Sequence, residues 1–410
     1  MPVDITFIRH GQTEGNAAGR WQGHTDSSLT ELGRRQAKAL GARLAARQFD
    51  LIVSSDLVRT GETAAALDRT FVTDPRWREP FFGTWENRST SEIIEESGDD
   101  LQALFAGEDI ALGGGERPSE VVARVRDALD GMLARLDGDG SAAVVSHGMS
   151  LLLLISALLE TKLPSPLRLL GNTAIAELTL DDGEVRMSRY NDDTHLGDLP
   201  PTHFQFDHGV TELLMVRHGQ TTSNVEGRWQ GHQDGELTEE GRRQIGLLAG
   251  SFPAVGAMYS SPLLRAAHTA GAIAARQGLE VNFDERLKEI SFGQWEGLTR
   301  SEIKGRFPES EAFFAGRDVV RGATGETFDQ VRSRFRSSLA DIAGRHPGEK
   351  VAVVSHGGSI RAWLTELLGL PYAHRNRLSI LGNTGYARVS LGAAGQSLVA
   401  WNLAPHLEST

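Results

Sequence analysis

Arg9, His10, Arg59, Glu79 and His147 in the first half of the chain carry groups suited to one kind of chemistry. Arg217, His218, Arg265, Glu289 and His356 repeat them in the same order in the second half. Two arginines and two histidines that converge make an anion site, and a phosphoryl group needs such a place. A guanidinium presents a fixed fork of N–H donors that matches phosphate oxygens and stays charged at any working pH. At about 4 Å and an effective dielectric near 20, each unit-charge contact is worth roughly 4 kcal/mol before desolvation is subtracted. A neutral histidine attacks phosphorus when one ring nitrogen is free and the other donates to a carbonyl. The departing alkoxide then takes a proton, and a nearby carboxylic acid supplies it with a gain of typically ~10²–10⁴ in rate. A histidine at a strand end is more often structural, and an arginine in a helix is usually a solvated charge. The combination, its order and its repetition single out this set.

The repetition is a domain duplication. "RHGQTEGNAAGRWQGHTDSSLTELGRRQ" from Arg9 faces "RHGQTTSNVEGRWQGHQDGELTEEGRRQ" from Arg217, and most positions are identical. The match continues through "IVSSDLVRTGETA" and "MYSSPLLRAAHTA", "AAVVSHGMS" and "VAVVSHGGS", and "LGNTAIAELTL" and "LGNTGYARVSL". The offset stays between 206 and 211 residues. A period of this size is a repeated domain rather than a solenoid. The first copy spans 1–196 and the second 211–410. The stretch between, 197–210, contains Pro200-Pro201, has no partner in the other copy and reads as a linker.

The elements that must position these residues read as alternating α/β. "VDITFIRHG", "DLIVSS" and "AAVVSHG", with "ELLMVRHG", "AMYSS" and "VAVVSHG" in the second copy, are short apolar runs ending in polar clusters and predict strands. Helical stretches lie between them. Thr30 and Thr238 are N-cap candidates, with Glu31, Glu239 and Glu240 at the positive end of the helix dipole. The expectation is two tandem three-layer α/β/α domains, each with a mainly parallel sheet covered by helices on both faces. Ligands of such sheets bind at the carboxyl ends of the strands, where the Arg-His-Gly and Ser-His-Gly clusters fall.

The bulk numbers narrow the partners. A formal net charge of −12 argues against a nucleic-acid partner, because phosphate-tracking proteins are usually basic. The chain has no cysteine, so disulfides, thiolate metal sites and a cysteine nucleophile are excluded. The start of the chain does not read as a signal peptide. The longest apolar run, "MSLLLLISALL" from Met149, is too short to span a bilayer and predicts a buried helix. The expected setting is the cytoplasm, with no membrane partner.

The chain resembles two tandem members of the histidine phosphatase superfamily, in its phosphoglycerate-mutase-like branch. The resemblance rests on "IRHGQT" and "VRHGQT", "SSDLVRT" and "SSPLLRA", "REPFFGTWE" and "KEISFGQWEG", and "VSHG" twice. It implies that His10 and His218 become phosphohistidine. Arg9, Arg59 and His147, with Arg217, Arg265 and His356, would hold the phosphate. Glu79 and Glu289 would donate a proton to the leaving group and later accept one from water. Asn16, Asn224, Gln22 and Gln230 are substrate-side candidates by the same resemblance. Asn172 and Asn383 read as structural, as do Trp21, Trp85, Trp229 and Trp295, while His24 and His232 stand open between the substrate side and the surface. The resemblance implies no metal and no cofactor, and a small-molecule phosphate ester as the partner.

Family mutases carry a long insertion between the acid and the second histidine. Here the separations are 68 and 67 positions, which favours water as the acceptor and hydrolysis over transfer. The alternatives are a phosphoglycerate-type mutase, or a chain whose second copy alone is active beside a silent phosphate-binding first copy. The first copy does depart from the second: Asn87 stands for Gly297, Thr60 for Ala266, and Pro80 follows the acid and removes a backbone donor there. The segment between acid and second histidine is acidic in the first copy. In the second it carries Arg300, Lys304, Arg306, Arg317 and Arg321, which suits a substrate with a further anionic group if that segment covers the site.

Overall fold

The computed structural model of the protein describes residues 2–136, 139–200, 209–392 and 395–408. The chain divides into two compact units, Met1–Gln205 and Phe206–Thr410. Most of the expected linker, residues 201–208, lies outside the described residues.

In the first unit the strands are β1 (Val3–Arg9), β2 (Leu51–Ser54), β3 (Val72–Thr73), β4 (Gly140–Ser146), β5 (Ile175–Asp181) and β6 (Glu184–Asp192). Their order is β3-β2-β4-β1-β5-β6. β1, β2, β3 and β4 pair in parallel, whereas β5 runs antiparallel to β1 and forms a hairpin with β6. The second unit repeats this with β7 (Thr211–Arg217), β8 (Ala257–Ser260), β9 (Val281–Phe283), β10 (Lys350–Ser355), β11 (Tyr386–Gly392) and β12 (Gly395–Leu403). Its order is β9-β8-β10-β7-β11-β12. The expected strands are all present. The antiparallel hairpin is an addition that sequence reading passed over, although Asp182 and Gly183, both at positive φ, form the Asp-Gly turn that favours a tight hairpin.

Side chains alternate across each sheet and reach helices on its faces. Ile8, Ile52, Ala143 and Val145 pack with Leu40, Leu44 and Ala64, from helices Glu31–Leu44 and Val58–Ala65. The apolar run from Met149 lies in the helix Gly148–Leu159, whose Leu151, Leu154, Ile155 and Leu159 are buried. Among the described residues no helix is long and apolar enough to cross a membrane. Thr30 and Thr238 cap their helices as expected, accepting from Gly33 N and Gly241 N at 2.9 Å. These caps fix the strand-end loops, because Gln12 and Gln220 carbonyls accept from Thr30 N and Thr238 N. In both units the ends of the first and the last parallel strand, β1 with β4 and β7 with β10, stop side by side and place their histidines next to each other.

Candidate active site

His10 follows β1 and His147 follows β4, with ring centroids 5.2 Å apart. His218 and His356 stand at the same 5.2 Å in the second unit. All four rings are buried. His10 Nδ1 lies 2.7 Å from Gly11 O, and His218 Nδ1 lies 2.7 Å from Gly219 O. A carbonyl only accepts, so the ring proton sits on Nδ1 and Nε2 carries the lone pair. Burial, and then the guanidiniums of Arg59 and Arg9, hold His10 well below the usual histidine range; burial, Arg265 and Arg217 do the same for His218. Both rings are therefore neutral at physiological pH.

The arginines are fixed by backbone carbonyls. Arg9 donates to Leu170 O and Arg217 to Leu381 O, each at 2.6 Å. Arg59 donates to Gly23 O at 2.7 Å and Thr25 O at 3.0 Å, and Arg265 to Gly231 O and Gln233 O at 2.8 and 2.9 Å. Those carbonyls belong to the loop that Glu86 and Glu296 anchor. Glu86 accepts from His24 N and Thr25 N at 2.7 and 2.8 Å, and Glu296 accepts from His232 N at 2.9 Å. Sequence reasoning quoted these glutamates within a motif but gave them no task.

Several buried nitrogens around these histidines have no partner among the described residues: Arg9 Nε and His147 Nε2 in the first unit, Arg217 Nε, His356 Nδ1 and Gln230 Nε2 in the second. Buried donors are normally satisfied, so a cluster of open ones marks a place for an acceptor. In the first unit Arg59 Nε donates to His147 Nδ1 at 3.3 Å, which leaves the ring proton on the open Nε2. In the second, His356 Nε2 lies 2.8 Å from the Ser261 hydroxyl, which also accepts from Leu263 N, and His356 Nδ1 is the open ring nitrogen. There Arg265 Nε also donates to His218 Nε2 at 3.3 Å. Crowding favours glycine after the second histidine of the second unit: a Cβ at Gly357 would meet Ile380 at 2.6 Å and Arg217 at 3.3 Å.

The carboxylates sit on the N-termini of the helices that follow. Glu79 accepts from Met149 N and Ser150 N, each at 3.0 Å, and Glu289 from Gly358 N and Ser359 N at 3.1 and 2.9 Å. The arrangement gathers a neutral imidazole, two fixed guanidiniums, an open imidazole N–H and a carboxyl group, twice.

The sequence comparison agrees with this geometry over nearly all of the chain. The family model of the histidine phosphatase superfamily, branch 1, matches residues 5–193 and again 213–404. The chain belongs to the histidine phosphatase superfamily. Phosphoglycerate mutase-like protein 4 of Arabidopsis thaliana is 40% identical over 162 residues, covering 38% of this chain and 70% of that protein. Phosphoserine phosphatase 1 of Hydrogenobacter thermophilus is 35% identical, covering 39% of this chain and 78% of its own. Glucosyl-3-phosphoglycerate phosphatase of Mycobacterium tuberculosis is 35% identical over 43% of this chain and 84% of its own.

Within this histidine phosphatase pair the substrate-side candidates divide. Asn16 and Asn224 complete capping boxes with the N-cap residues Thr13 and Thr221 of short helices, and their Oδ1 also accepts from Asn172 Nδ2 and Asn383 Nδ2, each at 3.1 Å. The same Nδ2 groups donate to the His10 and His218 carbonyls at 2.8 and 3.0 Å. Asn172 and Asn383, expected to be structural, thus tie the nucleophile's backbone to Asn16 and Asn224. Gln22 spends its amide on Ser27 Oγ at 2.7 Å. The second copy has Gly235 at that place, and the Gln230 Nε2 stays open to the cavity. His24 and His232 approach the backbone carbonyls of Glu79 and Glu289, at 3.1 and 2.9 Å, so they lie beside the acids. Trp21, Trp85 and Trp295 are buried packing residues, whereas Trp229 also lines the cavity.

The three departures of the first copy have local accounts. Asn87 and Gly297 both adopt left-handed φ, 65° and 78°, and both donate to a tryptophan carbonyl, so asparagine serves the same turn. The Thr60 hydroxyl donates to Ser55 O and Leu57 O, away from the histidines. Pro80 has the one chemical consequence. Ile290 N donates to Glu289 Oε1 at 2.8 Å, and Pro80 has no such N–H for Glu79. Glu79 keeps its seat but loses an anion-stabilising donor, and burial holds its pKa above the usual carboxylate range. Pro80→Ala restores the donor and favours the carboxylate. The high-pH limb of first-site activity on an alkyl phosphate should then move down by roughly one pH unit, read from rate profiles of the His218→Ala chain with and without the change.

Proposed function

We propose that each half of the chain is a metal-independent phosphatase that hydrolyses small phosphate monoesters through a phosphohistidine intermediate. The observation that carries this reading is the cluster of buried, unpartnered N–H donors around a neutral histidine whose Nε2 holds the lone pair. In the first half, His10 Nε2 attacks phosphorus, the N–P bond forms and the ester P–O bond breaks. The leaving oxygen takes the proton of Glu79. Arg9, Arg59 and His147 hold the phosphoryl oxygens. Water then attacks phosphorus, Glu79 accepts its proton, and the N–P electron pair returns to His10. His218, Glu289, Arg217, Arg265 and His356 act likewise in the second half. Of the substrate-side candidates, Gln230 and Asn224 line the second cavity, Asn16 holds the matching place in the first half, and Gln22 has its amide taken by Ser27 Oγ.

Hydrolysis is supported over mutase transfer by the short segments between acid and second histidine and by relatives named as phosphatases of phosphoserine and of glucosyl-3-phosphoglycerate, both small monoesters. The catalytic domains of this proposal span 1–196 and 211–410, joined by 197–210, and they work in the cytoplasm on small molecules rather than on nucleic acid or membranes. The acidic balance and the absence of cysteine support that setting. The test is a rapid quench in base after mixing the chain with a ³²P-labelled ester. Label should appear in acid-labile, base-stable form on peptides containing His10 and His218. Phosphate release with no labelled histidine on either peptide would sink the covalent route.

A further inference from the structure

The cavity of the second unit, about 280 Å³, runs past the phosphoryl pocket to a second cluster of cations: Arg321, Arg361 and Arg375, set beside Tyr372 and Phe313. These arginines are held differently. Arg321 is buried, donates to Glu326 O at 2.7 Å and faces Asp318 at 3.4 Å. Arg375 donates to Tyr372 O at 3.0 Å and lies 4.0 Å over the Tyr372 ring. Arg361 makes no hydrogen bond or ion pair among the described residues, and its Nε is buried with no partner. Burial and the neighbouring Arg375 pull Arg361 down to about 10, so it remains a cation at neutral pH. Asp318 is engaged with Arg321 and two helix N–H groups, and Glu289 with its own helix N-terminus. Arg361 is thus half-buried, its Nε is shut off from water with no acceptor, and its opposing charge, Glu289, is already engaged with a helix N-terminus, so an anion entering the cavity would find a guanidinium ready to donate.

The first copy lacks this cluster. Leu112, fully buried, stands where the second has Arg321, and Leu152 where it has Arg361. The second copy is also four residues longer between its Leu-Pro and Leu-Gly-Asn strings, and the 3-10 turn Tyr372–Arg377 that carries Arg375 fills that length. The positive charge has therefore been placed in one copy of an otherwise matched pair.

We infer that Arg361, with Arg375 and Arg321, forms a second anion subsite for a carboxylate on the alcohol part of the ester, so that the second half hydrolyses phosphates of small hydroxy acids. A carboxylate is planar and matches the guanidinium fork, and the small cavity must hold the phosphoryl group as well. The first half, apolar at the same places, takes neutral alcohols. This inference rests on the phosphatase reading above.

The experiment uses the full chain carrying His10→Ala, so that the second site alone turns over. The probes are 3-phosphoglycerate, glycerol 3-phosphate, which replaces the carboxylate by a hydroxymethyl group, and 1,3-propanediol bisphosphate. The parent should favour 3-phosphoglycerate over glycerol 3-phosphate at least tenfold in kcat/KM. Arg361→Leu should cut that preference tenfold or more, chiefly through KM, and Arg361→Lys should recover part of it. Arg375→Gln, in a segment the first copy does without, gives the same readout if Arg361→Leu fails to fold. Calorimetric binding of the probes to the chain with both His10→Ala and His218→Ala reports the subsite without turnover. No phosphate release from any probe, with carboxylate-dependent binding intact, would overturn the phosphatase reading and leave the subsite standing. An unchanged preference in both arginine variants, or tighter binding of the bisphosphate than of 3-phosphoglycerate, would overturn the subsite.

Discussion

His10→Ala should abolish one activity of the chain and His218→Ala the other, and the double variant should release phosphate at least ~10³-fold more slowly than the unaltered protein. In each unit the first histidine keeps its Nε2 lone pair beside the open donors, and the sequence has no cysteine to replace it. The two sites have separate arginines, acids and second histidines, so the single-variant rates on any ester should sum to the rate of the unaltered chain. Thermal melts of all three proteins control for folding. Loss of all activity in His218→Ala alone would mean that the first copy is silent, and full activity in the double variant would remove the histidines from the mechanism. The pH profile adds a second readout. Both nucleophiles are held well below 6.5, so they stay neutral as pH falls through 6.5, and no loss of rate from their protonation should appear between pH 7 and 6.

The duplication explains why so much of this site was legible. Two copies of one pattern expose which residues travel together, and the strand ends, the helix caps and the ten-residue polar set all follow from local sequence. Other features needed the folded chain. The bridge from Asn172 to the His10 carbonyl spans 162 residues, and the anchoring of Thr25 by Glu86 spans 61. Neither leaves a local period or spacing to read. Of the five basic residues singled out between Glu289 and His356, Arg321 lines the cavity, while Arg300 and Lys304 lie over Phe314, 4.9 and 5.0 Å from its ring. Arg361 sits on a helix where an arginine is ordinarily a solvated charge. The signal was present as Leu152 facing Arg361 in the two copies, but only the cavity gives that difference a meaning.

Glu79→Gln should separate proton donation from mere positioning. The Met149 and Ser150 N–H groups bond to different oxygens of Glu79, so glutamine keeps an acceptor for one of them and the shape of the side chain, but it cannot supply a proton. In the His218→Ala chain, where the first site works alone, the variant should lose ~10²–10⁴ in kcat on glycerol 3-phosphate, whose alkoxide needs that proton. On 4-nitrophenyl phosphate, whose phenolate leaves unprotonated, the burst that reports phosphorylation of His10 should fall far less. The later step, in which the carboxylate draws a proton from water, should slow for both esters, so that phosphohistidine accumulates in the variant. The pH dependence carries the sign of the assignment. Burial raises Glu79, against the opposing pull of the two backbone donors and of Arg9 and Arg59. The protonated form is therefore available at higher pH than for an ordinary glutamate, and the rate on the alkyl ester should fall as pH rises through that raised value. Glu79→Gln has nothing to titrate and should show no such limb. If the burst on the two esters fell by the same factor, Glu79 would be a positioning residue and the proton would have to come from elsewhere in the site.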